Sequence, residues 1–288
     1  MSAFLALCSS VLWGTGDFFG GTLSRRAHPL RIIGLSQAMS LVGLLVIAVA
    51  SGDLGAPLGY LGWGTAAGLA VLVGLGCFYA ALAAGTMGVV APVAATGAAV
   101  PLVVGLIRGE APTVLQVGGA VLAVAGVVLA SGPERHRRTH PARPAAPSTA
   151  RPLVLAGVAA LAFGTVAVLV ADGSHISIVM TLVTMRVVTA VTATVVLALV
   201  VKGSVGPARS DLPAVAVIAV TDTSAIGLYA VATHSGLVSL TAVLASLYPA
   251  TTAVLAWRVH GEHLSRVQAV GVTVILAGVV LIAAGGPA

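Results

Sequence analysis

The chain has 288 residues, of which 58% are apolar and only 8% charged, and its mean hydropathy is +1.10. This excludes a soluble domain built around one ordinary core and describes an integral membrane protein. The net charge of +6 does not point to nucleic acid, because the basic residues lie in short loops between apolar runs and have no interleaved aromatics.

The apolar runs are continuous, about 20 residues long, and separated by Gly, Pro and charged residues, which predicts helices. A transmembrane barrel would alternate in polarity over about ten residues instead. Ten helices are expected, at roughly 3–22, 30–50, 59–84, 88–107, 114–131, 152–171, 176–201, 212–233, 237–257 and 266–285. The first contains "GTGDFFGG" (Gly14–Gly21); it lacks a basic n-region and is interrupted by Asp17, so it reads as an uncleaved helix rather than a signal peptide. The 35 glycines allow helices to approach closely. Cys8 and Cys77 fall inside apolar runs with no metal-ligand spacing. The stretch "GPERHRRTHPARPAAPSTARP" is too polar for the bilayer and reads as a flexible linker over 132–151, between five-helix units at 1–131 and 152–288.

The two units resemble each other. At an offset of 150, "WGT" at Trp13 meets "FGT" at Phe163 and "FYA" at Phe78 meets "LYA" at Leu228. At an offset of 152, Gly109, Glu110, Gln116, Gly119 and "AGVVL" (Ala125–Leu129) recur at Gly261, Glu262, Gln268, Gly271 and Ala277–Leu281, nine identities over 21 positions. With an odd number of helices per copy, the second copy enters the membrane from the opposite side. Inverted repeats are the usual architecture of secondary transporters, with the substrate site between the halves.

The five-plus-five layout, the opening "VLWGTGDFFGG", the "GE" between the fourth and fifth helices of each unit and the closing "LAVAGVVLA" and "ILAGVVLIA" together resemble the EamA-type members of the drug/metabolite transporter superfamily. The resemblance covers nearly the whole chain apart from the linker. It implies a ten-helix carrier of small metabolites, often moving them outward, in the plasma membrane.

The loops after odd-numbered helices hold twelve Lys and Arg, and those after even-numbered helices hold only Arg108. The positive-inside rule then places the 132–151 linker in the cytoplasm and both termini outside. The resemblance implies cytoplasmic termini; the charge bias, a property of this chain, is followed here.

Three ionisable residues fall within the predicted spans: Asp17, Arg186 and Asp222. Such groups are costly in a bilayer and face protein or a water-filled cavity. Measured from the centres of their spans, Arg186 and Asp222 differ in depth by roughly 4 Å and Arg186 and Asp17 by roughly 11 Å. Arg186 and Asp222 are therefore the expected ion pair, and Asp17 is the carboxylate left over. Burial away from water disfavours a lone charge, which makes Asp17 the candidate for proton coupling or for holding a cationic substrate. The competing reading is structural, with Asp17 tied to Thr15, Thr22 or a helix end. Gln37 occupies the position equivalent to Arg186 at an offset of 149, so this site is polar in both units.

Trp13, Gln37, Tyr79, Arg186, Asp222, Tyr229 and Tyr248 are the candidate lining of a central cavity between helices 1, 2, 3, 7, 8 and 9. Packing in the core or at the membrane interface is the competing role for Trp13 and the tyrosines. Tyr248 before Pro249 predicts a break in the ninth helix that exposes backbone carbonyls. Glu110 and Glu262 read as structural caps just ahead of the fifth and tenth helices. No histidine spacing supports a metal site, no cofactor is implied, and without a GxxxxGK[ST] loop any driving force is a gradient.

The expected partners are a small-molecule substrate and the lipid bilayer, for a monomer or homodimer. The rival class is an intramembrane aspartyl protease using Asp17 in its Gly-x-Gly-Asp setting with Asp222 as second carboxylate. The second Asp comes in the wrong order for that class and no Pro-Ala-Leu follows.

Overall fold

The computed structural model describes residues 1–84, 87–130, 150–201, 206–234, 236–260 and 266–284. Helix is the only regular structure among them. Helices α1 (Ser2–Ser24), α2 (Pro29–Ser51) and α3 (Tyr60–Ala84) are continuous. The fourth apolar run is divided into α4 (Met87–Ala95) and α5 (Ala99–Ile107) by a 3-10 turn at Thr96–Ala98, and α6 (Val114–Ala130) follows. Then come α7 (Ala150–Ser174), α8 (Ile178–Val200), α9 (Leu212–His234), a second divided run, α10 (Val238–Ala245) and α11 (Tyr248–His260), and α12 (Arg266–Ala284). Among the described residues six stretches, in α1, α2, α3, α7, α8 and α9, are long and apolar enough to cross a membrane by length and composition. The linker at 132–151 lies almost wholly outside the described residues, as does Glu262.

The fourth run departs from the continuous helix expected at 88–107, and its composition says why. Pro101 has no N–H to return to the carbonyl of Gly97, four residues back, and glycine itself weakens a helix. In the ninth run the break falls at Ser246–Leu247, just ahead of the predicted place. Tyr248–Pro249 begin α11 instead, where proline is tolerated because first-turn N–H groups have no helical partner.

The extensive packing joins residues before 131 to residues after 149. α1 lies along α9, α2 along α8, α3 along α7 and α6 along α12. The first three pairs run antiparallel. On α1 and α9, the Ser9 hydroxyl donates to the Ala225 carbonyl at 2.8 Å while a Cβ on Gly16 would meet Thr221 and the Ile218 carbonyl. On α2 and α8, Gly34 faces Ala193 and Gln37 meets Arg186. On α3 and α7, Trp63 lies beside Gly173 and Gly74 against Phe163.

Close approach depends on glycine at two positions 150 residues apart. A Cβ on Gly14 would stand 2.4 Å from the Tyr248 carbonyl oxygen and 2.6 Å from the Cβ of Thr251. A Cβ on Gly164 would stand 2.3 Å from the Gly97 carbonyl oxygen and 2.6 Å from the Cβ of Val100. In both cases the obstacle is backbone at a broken span, which a rotamer change cannot clear. Gly164→Ala is expected to lower the thermal unfolding temperature of the purified protein, by about 1–3 kcal/mol of stability. Gly227→Ala on α9, where nothing lies within 4 Å of the added carbon, is the control expected to leave it unchanged or raise it. Equal effects of the two would refute a packing requirement at Gly164.

Candidate functional site

The antiparallel registers of α1 on α9 and α2 on α8 bring four polar side chains together. Asp222 Oδ2 accepts from Arg186 Nη1 at 2.8 Å and from Gln37 Nε2 at 3.3 Å, and its Oδ1 accepts from Trp13 Nε1 at 3.1 Å. Arg186 Nη1 also donates to Gln37 Oε1. The arginine side chain is 1% exposed and the aspartate side chain 21%. Burial this deep leaves the guanidinium dependent on its partners, since an uncompensated charge in a low-dielectric interior costs several kcal/mol. Two of its atoms, Nε and Nη2, are buried without a partner among the described residues.

A cavity of about 110 Å³ adjoins this network. Trp13, Asp17, Arg186, Asp222, Tyr229 and Tyr248 contribute to its wall, and the remainder is chiefly apolar. The two broken spans supply much of the lining, from Ala94 to Pro101 and from Ala242 to Tyr248. Irregular backbone is tolerated at membrane depth where it faces a cavity rather than lipid. A smaller crevice of about 10 Å³, near the size of one water, lies beside Asp17 among Gly16, Ser36, Gln37 and Tyr79.

Asp17 therefore faces both spaces. Asp222, Tyr79 and Tyr248 are close enough to interact with it electrostatically. The structural reading that tied it to Thr15 or Thr22 does not hold, because those hydroxyls donate to the Val11 and Phe18 carbonyls of their own helix, each at 2.8 Å.

The other aromatic candidates separate. Tyr229 lines the cavity and its hydroxyl donates to the Ala167 carbonyl at 3.2 Å, with the Trp13 ring centroid 6.0 Å away. Tyr248 lines it with a buried hydroxyl that has no partner among the described residues. Tyr79 lies on the small crevice instead, its hydroxyl against Gly20. Gln37 is not on the main cavity: it is buried behind Asp222 and reaches only the crevice. The expected lining from helices 1, 2, 3, 7, 8 and 9 is thus corrected. α2 is displaced from the main cavity, and α4, α5 and α7 take part through Ala94, Pro101, Phe163 and Gly164, with Gly97 of the 3-10 turn between the first two. Small residues there carried little signal, although Gly97 with Pro101 marks a weak point in a helix.

Glu110 is a cap, but of a different helix from the one expected. A left-handed residue at Gly109 (φ 88°) turns the chain so that Glu110 Oε1 accepts from the Val238 N–H of α10 at 3.0 Å. The start of α6 is closed by Thr113 and Gln116, whose side chains each accept from the other's backbone N–H, at 3.3 and 2.8 Å. Next to Gly109, Arg108 forms a two-pronged ion pair with Asp172 at the end of α7, at 2.6 and 2.9 Å. Among the described residues no three His, Cys, Asp or Glu side chains cluster as metal ligands.

A profile of the EamA-like transporter family matches residues 1–132 and 151–284. The chain belongs to that family. A solved structure titled "Crystal structure of protein" superposes on this EamA-like chain with a TM-score of 0.80 at 17% identity, over 98% of each chain, a likeness of fold. Comparison with curated proteins finds no match. Membership in a family of transporters, together with Asp222 committing both oxygens to Arg186, Gln37 and Trp13, leaves the protease alternative without support. An aspartyl dyad requires two carboxylates sharing a proton.

The buried network makes a prediction about stability in this EamA-like protein. Arg186→Leu and Asp222→Leu alone each strand a charge and are expected to cost about 3–5 kcal/mol, whereas the double variant costs less than either. Thermal unfolding of the three variants decides it; additive losses would show that the pair is not coupled.

Proposed function

We propose that the protein is a secondary carrier of a small metabolite, working by alternating access of two five-span units that enter the membrane in opposite senses. One observation carries this reading: a cavity at the meeting of two broken spans, holding a carboxylate, Asp17, that has no ion-pair partner among the described residues. The antiparallel packing of α2 on α8, with Gln37 against Arg186, supports equivalent helices of opposite direction. The matching contacts of Gly14 and Gly164 support the same relation. The boundaries proposed for the units are 1–131 and 152–288, with the linker between them. By charge bias the linker lies in the cytoplasm and the termini outside; family resemblance favours outward movement across the plasma membrane.

Trp13, Tyr229 and Tyr248 contact the substrate in this reading, Arg186 and Asp222 form the ion pair that braces the site, and Gln37 holds that pair in place. Asp17 is the coupling residue. As a lone carboxylate at a cavity wall, it exchanges a proton with whichever side the cavity faces. Tyr79, on the crevice beside it, positions it.

Comparing metabolites released by cells with and without the gene identifies a substrate, whose flux is then measured in proteoliposomes under an imposed pH gradient. Gradient-driven flux is expected for the wild type and its loss in Asp17→Asn, with folding and membrane insertion intact. Wild-type rates indifferent to the gradient would remove proton coupling. Rates no higher than in protein-free liposomes would remove the carrier reading itself.

A further inference from the structure

The groups left unsatisfied around the cavity share a chemical sense. Arg186 commits Nη1 to Gln37 and Asp222, while Nε and Nη2 are buried with no acceptor among the described residues. The Tyr248 hydroxyl, on the wall of the same cavity, is buried and unpartnered too. All three are donors. The Nε–H and the neighbouring Nη2–H of a guanidinium point along one edge, the planar fork that matches the two oxygens of a carboxylate. Buried donors left without an acceptor cost about 1–3 kcal/mol each, more when charged. A bound group rich in acceptors would recover that cost.

Charge decides when such a group is admitted. Arg186 and Asp222 cancel each other, so the sign of the site follows Asp17. The groups facing Asp17 are Asp222 from α9, Tyr79 from α3 and Tyr248 from α11, with Arg186 of α8 on the wall of the same cavity. Arg186 is the only cation among the described residues lining it. With Asp17 ionised, an incoming anion adds a second uncompensated negative charge. With Asp17 protonated, it adds the first. The rest of the wall, with Val71, Leu75, Phe163 and Ile226, suits a short aliphatic body.

We propose that the cavity binds a small organic carboxylate, held by the free edge of Arg186 and the hydroxyl of Tyr248, and that it does so with Asp17 protonated. The inference rests on the carrier reading above and adds the substrate class. Proton and anion then occupy the site together, and the pair is electrically neutral as a cargo.

The test is thermal unfolding of the purified full-length protein with three probes of one shape: 4-methylpentanoate, 4-methylpentanamide and 3-methylbutylamine. Titrations are made at mildly acid pH, above the probe acid's own pKa, and at mildly alkaline pH. The carboxylate is expected to raise the unfolding temperature, with an apparent Kd that weakens about tenfold per pH unit above the titration of Asp17. The amide and the amine produce no comparable shift. Asp17→Asn makes the Kd for the carboxylate independent of pH, and Arg186→Lys weakens it about tenfold or more by removing the fork. Should Arg186→Lys not fold, Tyr248→Phe is expected to weaken it about three- to tenfold. Binding of the amide or amine as tight as the acid, wild-type affinity indifferent to pH, or no response to any probe would each overturn the proposal. Flux in proteoliposomes tests the carrier reading separately. A protein that carries another kind of substrate and ignores 4-methylpentanoate would lose only the carboxylate assignment.

Discussion

Arg186 has almost no access to water, and the middle of the bundle is arranged around that fact. A guanidinium cannot shed its proton to escape a low-dielectric interior, so its counter-charge and acceptors have to arrive from other helices. Asp222 comes from α9 and Gln37 from α2, and Trp13 of α1 fixes the second oxygen of the aspartate. Four helices are thereby held to one register by a single charge. Asp17 draws its character from the same arrangement. Had Arg186 paired with Asp17 instead, Asp222 would be the carboxylate left over on the same cavity wall.

The site is asymmetric within a repetitive frame. Positions 150 residues apart place Trp13 against Phe163, Asp17 against Ala167 and Leu72 against Asp222, so that one flank of the α2–α8 contact is polar and the other is apolar. Gln37 and Arg186 meet between the two flanks. The arginine accordingly leans toward the flank that carries the aspartate. The tyrosines show the same divergence: Tyr229 finds the carbonyl of Ala167, while Tyr79 lies on the crevice beside the residue that replaces it, Asp17.

The sequence disclosed a membrane protein of apolar helices, and the internal likeness together with the resemblance drawn from it led to the right family. Run length and hydropathy carry that information residue by residue. Depth along a helix placed Arg186 level with Asp222 and away from Asp17, because a constant rise converts position into height. What could not be read was direction around a helix axis. Gln37 and Tyr79 were expected on the cavity from their repeat partners, yet both turn to the crevice or behind the ion pair. The contributions of α4, α5 and α7 were missed because alanine and glycine form a wall without any chemical signature. Glu110 was assigned to the helix nearest in sequence, whereas the left-handed turn at Gly109 delivers it to α10.

The long helix pairs join the portion before residue 131 to the portion after 149, and few comparable contacts form within either portion. During synthesis the first portion reaches the bilayer well before its partners exist. Until then α1 holds Asp17 and Trp13, and α2 holds Gln37, with neither α9 nor α8 present to receive them. The core of this protein is therefore assembled late, by interleaving two sets of helices already in lipid, and the first set waits in an open arrangement that the translocation machinery or the bilayer itself must tolerate.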